Sequence, residues 1–431
     1  MNSARRVLLA SLIGTTVEFF DFYIYGTAAV LVFPKLFFPA SDPAAATLQS
    51  LATFALAFFA RPVGSAVFGH FGDRIGRKAT LVAALLTMGL STVLIGLLPT
   101  YVTIGVAAPL LLALLRFGQG FGLGGEWGGA VLLATENAPP GKHNWYGMFP
   151  QLGAPIGLIC SGAAFLLLTH FLDDAQFLAW GWRVPFLASA LLVLVGLYVR
   201  LQIEETPTFK AVLRNNQRVR RPMIEVARAH AGTVVLGTFA SASIFVLFYV
   251  LNVFSLGWGT GTLGYSRQQF LVLQLLAVPF FALTIPLSAR LADRHGPRII
   301  LLGAAVAIAL FGLVLAPLLD SHSPLSVWAC LASGMALMGL FYGPLGSVLA
   351  GLFPAPVRYT GASLAFNFAG IVGGSLTPYI ATWLATRHGL PAVGGFVCVA
   401  GVITLGALLQ LVRRGALADS AGSGRSAERE R

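Results

Sequence analysis

Gly69-His-Phe-Gly-Asp73-Arg74-Ile-Gly76-Arg77-Lys78 lies between two long apolar runs. Some 220 positions later, Ala289-Arg-Leu-Ala-Asp293-Arg294-His-Gly296-Pro297-Arg298 lies between two more. The Asp-Arg-x-Gly core occupies the same slot each time, so the chain reads as two related halves. In the first copy the glycines permit a tight reversal between helices. Asp73 can face a helix N-terminus or an arginine, and the arginines would hold the loop at lipid headgroups. The second copy departs at Ala289, where the leading glycine is missing, and at Pro297, which replaces an arginine.

Outward from these two stretches, apolar runs fall at 8–33, 46–69, 79–98, 103–133, 146–169 and 181–200. A second set follows at 232–256, 269–289, 299–319, 325–350, 360–385 and 391–412. Each is long enough to cross a bilayer, which takes about 20 apolar residues. In lipid a span must close its own backbone hydrogen bonds, so all twelve are expected to be helices. Composition agrees: 57% of the 431 residues are hydrophobic and only 10% charged, against about 25% charged in soluble domains. The expectation is an all-α membrane protein, with six-helix bundles at 1–200 and 232–414. A polar central loop at 201–231 would join them, and a disordered Ser/Gly/Ala tail would occupy 415–431. Arg5 and Arg6 before an apolar run resemble a signal peptide, but Glu18 and Asp21 follow at once, so cleavage is not expected.

The net charge of +12 is not a nucleic-acid footprint, because no basic stripe accompanies it. Of the 28 Lys and Arg, 22 fall on one side of the twelve-span map and four (Lys35, Arg183, Arg267, Arg387) on the other. Arg61 and Arg116 lie inside spans. Basic loops face the cytoplasm, so both termini are expected there. Within the central loop Arg214, Arg218, Arg220 and Arg221 would form a solvated face near anionic lipid.

Glu18, Asp21, Arg61, Arg116 and Glu126 are charges within spans, at a combined cost of roughly 12–17 kcal/mol if unpaired at the centre. They must pair or face water. Glu18, Asp21 and Tyr25 share one helix stripe. Asp21 and Arg116 each lie about 20 Å into their spans, which puts both near midplane and in reach of each other. The second half offers neutral polar groups instead, Asn252, Gln274, Tyr342 and Asn367. Coupling in one bundle and substrate closure by the other is the expected division of labour.

Several patterns lead nowhere. Gly120-x-Gly122-x-x-Gly125 matches a dinucleotide fingerprint, but no strand precedes it, and glycines at spacing four serve helix packing in lipid. Cys160, Cys330 and Cys398 are isolated, and the seven histidines have no metal spacing. No nucleophile with its base is recognisable, so an enzyme is not expected.

The Gly69–Lys78 stretch resembles the signature loop of the major facilitator superfamily. The resemblance narrows to that superfamily's metabolite:proton symporter branch in Phe19-Phe-Asp21-Phe-Tyr23-Ile-Tyr25-Gly26 and Phe59-Ala-Arg61-Pro-Val-Gly64. Arg116-Phe-Gly-Gln119-Gly120-Phe-Gly-Leu-Gly124-Gly125-Glu126-Trp127 and Glu136-Asn-Ala-Pro-Pro-Gly-Lys142 are similar too. Phe149-Pro-Gln151-Leu-Gly-Ala-Pro155 and Arg358-Tyr-Thr-Gly-Ala-Ser-Leu-Ala-Phe-Asn367 complete it. The branch includes shikimate, α-ketoglutarate and proline/betaine permeases. The family usually carries an acid where this chain has Gly351.

The resemblance implies the major facilitator fold and a carrier in the inner (plasma) membrane, working by alternating access. Gly69, Asp73, Arg74, Gly76, Arg77, Asp293 and Arg294 would form the cytoplasmic gate. Asp21, Glu18 and Glu126 are the proton-coupling candidates. Arg116, Arg61, Tyr25, Tyr23 and Gln119 are expected at the substrate, together with Trp127, Gln151, Tyr342 and Asn367. The expected activity is proton-coupled symport of a small organic acid or related polar metabolite. Proton-driven export is the alternative and betaine symport a lesser one, and neither a metal nor an organic cofactor is expected. The coupling ion is the proton, the partners are a small-molecule substrate and membrane lipid, and the chain is expected to be a monomer.

Overall fold

The structure, a computed structural model, describes residues 4–39, 42–202, 204–215, 219–321 and 323–417. Most of the expected tail, and Arg218, lie outside the described residues. Among these residues twelve helices are long and apolar enough to cross a membrane. They are α1 (Arg5–Leu31), α2 (Ala45–Arg74), α3 (Arg77–Leu97), α4 (Ala107–Thr135), α5 (His143–Phe171) and α6 (Arg183–Leu201) in the first half. The second half has α7 (Ala231–Gly261), α8 (Arg267–His295), α9 (Pro297–Leu319), α10 (Pro324–Gly351), α11 (Ala355–His388) and α12 (Leu390–Arg413).

Packing repeats with a shift of six helices. The pairs α1–α5, α2–α4, α3–α6 and α3–α4 recur as α7–α11, α8–α10, α9–α12 and α9–α10. Across the halves, α2 lies on α11 and α5 on α8. Small residues set these distances. A Cβ on Gly64 would fall 1.9 Å from the Phe121 carbonyl oxygen, and one on Gly124 would fall 2.0 Å from that of Arg61, so α2 and α4 touch backbone to backbone. The molecule is inside-out relative to a soluble protein: Leu90, Leu97, Leu191 and Leu313 are exposed, while Glu18, Asp21, Arg61, Arg116 and Glu126 are buried.

The end carrying Arg74, Arg77, Lys142, Arg294 and Arg358 is here named the basic end, and the other the far end. At the basic end the reversals are tighter than expected. Helix α2 runs on through Gly69 and Asp73 to Arg74, and only Ile75 and Gly76 make the turn. Gly76 (φ 129°) and its repeat Gly296 (φ 87°) adopt positive φ, which only glycine takes without strain. The expected central loop holds two short helices, Pro207–Arg214 and Pro222–Ala229. Phe209, Val212 and Val226 bury their apolar faces, and Glu205 Oε2 accepts from the Lys78 amide at 3.3 Å, an acid on the N-terminus of α3.

Candidate functional site

At the basic end each half sets a carboxylate on a helix N-terminus of the other. Asp73, in the last turn of α2, accepts from Thr360 N at 3.2 Å and Thr360 Oγ1 at 2.8 Å. Asp293, in the last turn of α8, accepts from Asn144 N at 3.0 Å, Asn144 Nδ2 at 2.9 Å and Trp145 N at 3.0 Å. Both acceptors sit where unsatisfied N–H groups and the helix dipole favour an anion. Ser347 on α10 donates to Asn144 Oδ1, and the Arg290 guanidinium covers the Trp145 ring at 4.4 Å.

Arg77 does not reach for lipid headgroups. Its side chain points back toward the N-terminus of α3 and is buried beside Asp73 (3.4 Å) and Glu136 (3.8 Å), donating to Gly72 O at 3.0 Å and stacking on Phe209. Gly69 packs against Thr360, Arg74 lies beside His70 at 3.3 Å, and Arg294 is exposed. Pro297, the repeat of Arg77, carries no charge, so this ionic cluster belongs to one side only.

Within the first bundle, the expected Asp21–Arg116 pair does not form. Arg116 donates to Gln119 Oε1 instead. Its guanidinium lies over the rings of Tyr25, Phe22 and Phe54, with centroids at 4.0, 4.4 and 4.8 Å. Gln119 donates onward to Thr92 Oγ1 at 2.8 Å and to the Asp21 main-chain oxygen at 3.0 Å, while Tyr25 donates to Thr53 at 2.9 Å. Gln119 rather than Arg116 thus lies beside the Asp21 backbone, and aromatic rings occupy the space around the cation. The Asp21 carboxylate faces Ser189 and Thr92, with no hydrogen bond formed to either oxygen among the described residues.

Glu126 pairs with Arg200, which ends the expected span 181–200 and was not counted from sequence among the charges within spans. Arg200 Nη1 and Nη2 reach the two Glu126 oxygens at 2.9 and 3.0 Å, and Nη1 also donates to Leu81 O at 2.7 Å. The reason is side-chain direction. Arg200 lies in the last turn of α6, and its long side chain runs back toward the N-terminus, into the bundle. The guanidinium lies against Gly14, whose missing Cβ would sit 2.6 Å from Nη2. One turn later on α1 is Glu18, facing Glu126, Arg61 and Arg200. With Arg200 the buried set is three acids and three arginines, formally neutral, where the five charges counted from sequence sum to −1.

Two cavities separate the halves. One near midplane, about 30 Å³, is bordered by Tyr23, Arg61, Phe248, Tyr249 and Tyr342. The other, toward the far end, is about 40 Å³ and is bordered by Phe22, Tyr23, Phe54, Tyr249, Asn252 and Gln274. A water needs about 10–15 Å³ of such space, so each holds a few waters in this conformation. Tyr23, stacked on Phe248 at 5.2 Å, lines both cavities together with that ring. A π-helical turn at Val250–Phe254 carries Asn252 on α7, an irregularity that frequently marks working parts of helices.

Of the expected substrate residues, Tyr23, Arg61 and Tyr342 border these cavities. Arg116, Gln119 and Tyr25 stay inside the first bundle. Trp127, Gln151 and Asn367 form cross-half contacts nearer the basic end. Trp127 stacks on Phe366 at 3.7 Å and donates to Gln151 Oε1 at 2.9 Å, and Gln151 donates to Tyr342 O at 3.0 Å. Asn367 donates to Ser65 Oγ at 2.7 Å. Phe248 and Tyr249 were missed because α7 is apolar all round, so periodicity cannot single out a face.

Residues 11–378 match the family model described as Major Facilitator Superfamily. The chain belongs to that superfamily. It is 56% identical over 414 residues to the inner membrane metabolite transport protein YhjE of Escherichia coli K12, covering 95% of this chain and 94% of that one. It is 38% identical to the shikimate transporter of the same organism, covering 90% and 89%. A crystal structure of a D-xylose–proton symporter superposes with a TM-score of 0.72 at 17% identity, covering 94% and 96%, which shows the same fold. The chain is thus a multi-pass metabolite transporter and not an enzyme. Among the described residues no cluster of His, Cys, Asp or Glu could hold a metal ion.

Proposed function

We propose that this transporter is a proton-coupled symporter of a small organic acid, lying in the inner membrane with its basic end in the cytoplasm. The observation that carries this is Arg61. Among the described residues its guanidinium has the rings of Phe22 and Phe58 as neighbours, at 5.2 and 5.5 Å, and no hydrogen bond or ion pair. It borders the midplane cavity, with the fully buried carboxylates of Glu18 and Asp21 on the neighbouring helix. A desolvated arginine open to the substrate path invites an anion, and buried carboxylates can carry the compensating proton. The Asp73 and Asp293 contacts would close the cytoplasmic side and release it in turn. A relative that transports shikimate supports an organic acid.

The ring faces of Tyr23, Phe248 and Tyr249 favour a second reading, a zwitterion whose cationic group lies against them. Purified protein in liposomes, offered shikimate, α-ketoglutarate, proline and glycine betaine with and without an inward proton gradient, decides between them. Accumulation of an organic acid that collapses with a protonophore supports symport. Accumulation of betaine alone selects the second reading, and expulsion of solute driven by the gradient selects export.

A further inference from the structure

Four charged side chains from four helices converge beside the midplane cavity: Glu18 on α1, Arg61 on α2, Glu126 on α4 and Arg200 on α6. Tyr23 and Tyr342 complete the groups facing Glu18. Arg200 is committed to Glu126 by two hydrogen bonds, which leaves Glu18 and Arg61 to balance each other. Neither Glu18 oxygen meets a donor among the described residues. Its carboxyl faces that of Glu126, two acceptor groups with no hydrogen between them until one is protonated. Arg61 alone of the four borders the cavity.

We propose that Glu18 and Arg61 form one exchange site, in which a substrate carboxylate takes Arg61 and the coupling proton goes to Glu18, shared with Glu126. This rests on the symport reading above. With all four groups ionised the site is neutral. A bound carboxylate adds one negative charge in a low-dielectric place, and one proton from water on Glu18 restores neutrality. The substrate stays ionised, no bond other than the O–H forms, and anion and proton bind better together than apart. Asp21 and Arg116 do not serve: Asp21 faces Ser189 and Thr92 rather than Arg61, and Arg116 borders neither cavity and is enclosed by rings. The site also sets the substrate class. Arg61 is the one cation among the described residues bordering either cavity, and the remaining wall offers ring faces with Asn252 and Gln274. A monocarboxylate with a compact hydroxylated body fits, and the second carboxylate of a dicarboxylate has no counter-charge.

Liposomes in weak buffer test this, with shikimate as the monocarboxylate probe and α-ketoglutarate as the dicarboxylate. In the unmodified protein, shikimate entry takes up protons and α-ketoglutarate entry is at least tenfold slower. Glu18→Gln keeps shikimate counterflow and loses proton uptake, Glu18→Asp restores it, and Asp21→Asn retains it. Arg61→Gln weakens shikimate binding by about 30-fold or more, as for a desolvated ion pair. Proton uptake kept in Glu18→Gln and lost in Asp21→Asn overturns the proton site, and equal transport of both probes overturns the substrate class. Infrared spectra read the titrating carboxyl without any substrate. The band that appears on acidification should be missing from Glu18→Gln and present in Asp21→Asn, and the reverse overturns the proposal even if neither probe moves. Failure of both probes alone overturns the organic-acid reading.

Discussion

Arg116 and Arg200 show what one residue's surroundings decide. The guanidinium of Arg116 is flat, and its rings and Gln119 take that shape from three sides. Lysine offers a compact, strongly hydrated charge that cannot stack in this way. Arg116→Lys should therefore fail to restore transport lost in Arg116→Ala, and both should lower the thermal midpoint in detergent. Near-normal uptake by the lysine variant would remove the stacking argument. For Arg200, the test is a double-mutant cycle on stability. Glu126→Gln leaves a buried guanidinium without its counter-charge, at about 3–5 kcal/mol, whereas Glu126→Gln with Arg200→Met removes both charges and should cost less. Additive losses would mean that the pair is not coupled. The presence of charges within spans was legible from sequence, because hydropathy exposes them. Their pairings were not, because sequence places a Cα along a helix and says little about where a long side chain ends.

At the scale of helices, the twelve spans were legible throughout, since about 20 apolar residues are a strong signal and lipid permits no other closed backbone. Their ends were not. Helix α2 continues through His70, Asp73 and Arg74, and there Asp73 meets Thr360 of α11 and Arg77 of α3 rather than water, a tertiary contact that apolar counting cannot see. The glycine spacing of α4 predicts close helix packing, and its glycines lie against α2 and α3. Gly124→Ala tests how tight: its Cβ would lie 2.0 Å from the Arg61 carbonyl oxygen, so α2 must shift, at about 1–3 kcal/mol for overpacking. Transport should fall along with the thermal midpoint, because the displaced backbone carries Arg61. In contrast, Gly303→Ala on α9 meets no atom within 4 Å and should be neutral or slightly stabilising. Equal losses in the two variants would show that helix propensity, not contact, governs these positions.

Over the whole molecule, a repeat in sequence identifies which residues are equivalent, not which ones meet. Asp73 and Asp293 are equivalents 220 residues apart, and each closes on the opposite half: Asp73 on α11, Asp293 on α5. The pair thus holds the basic end shut from both sides while the midplane remains hollow. Their surroundings are unequal. Asp73 has Arg77 at 3.4 Å, backed by Glu136, whereas Asp293 has Pro297 in the equivalent position and relies on three N–H donors. Hydrogen bonds to a charged acceptor contribute about 1.5–3 kcal/mol each, enough to move a two-state equilibrium by tenfold or more. Asn at either position keeps one acceptor oxygen and loses the charge that a helix N-terminus favours. Asp73→Asn and Asp293→Asn should each raise the population open at the basic end and slow transport, with substrate affinity unchanged within a few-fold, since neither residue borders the cavities. Asp73→Asn should do more, because it also leaves Arg77 with a single distant carboxylate. Labelling of a cysteine introduced at Ser347, beside Asn144 at the α5–α10 contact, reads this opening directly. Faster labelling in both variants, larger for Asp73→Asn, is the expected result. Unchanged labelling with lost substrate binding would mean that the two aspartates hold the bundles in shape rather than govern which side is closed.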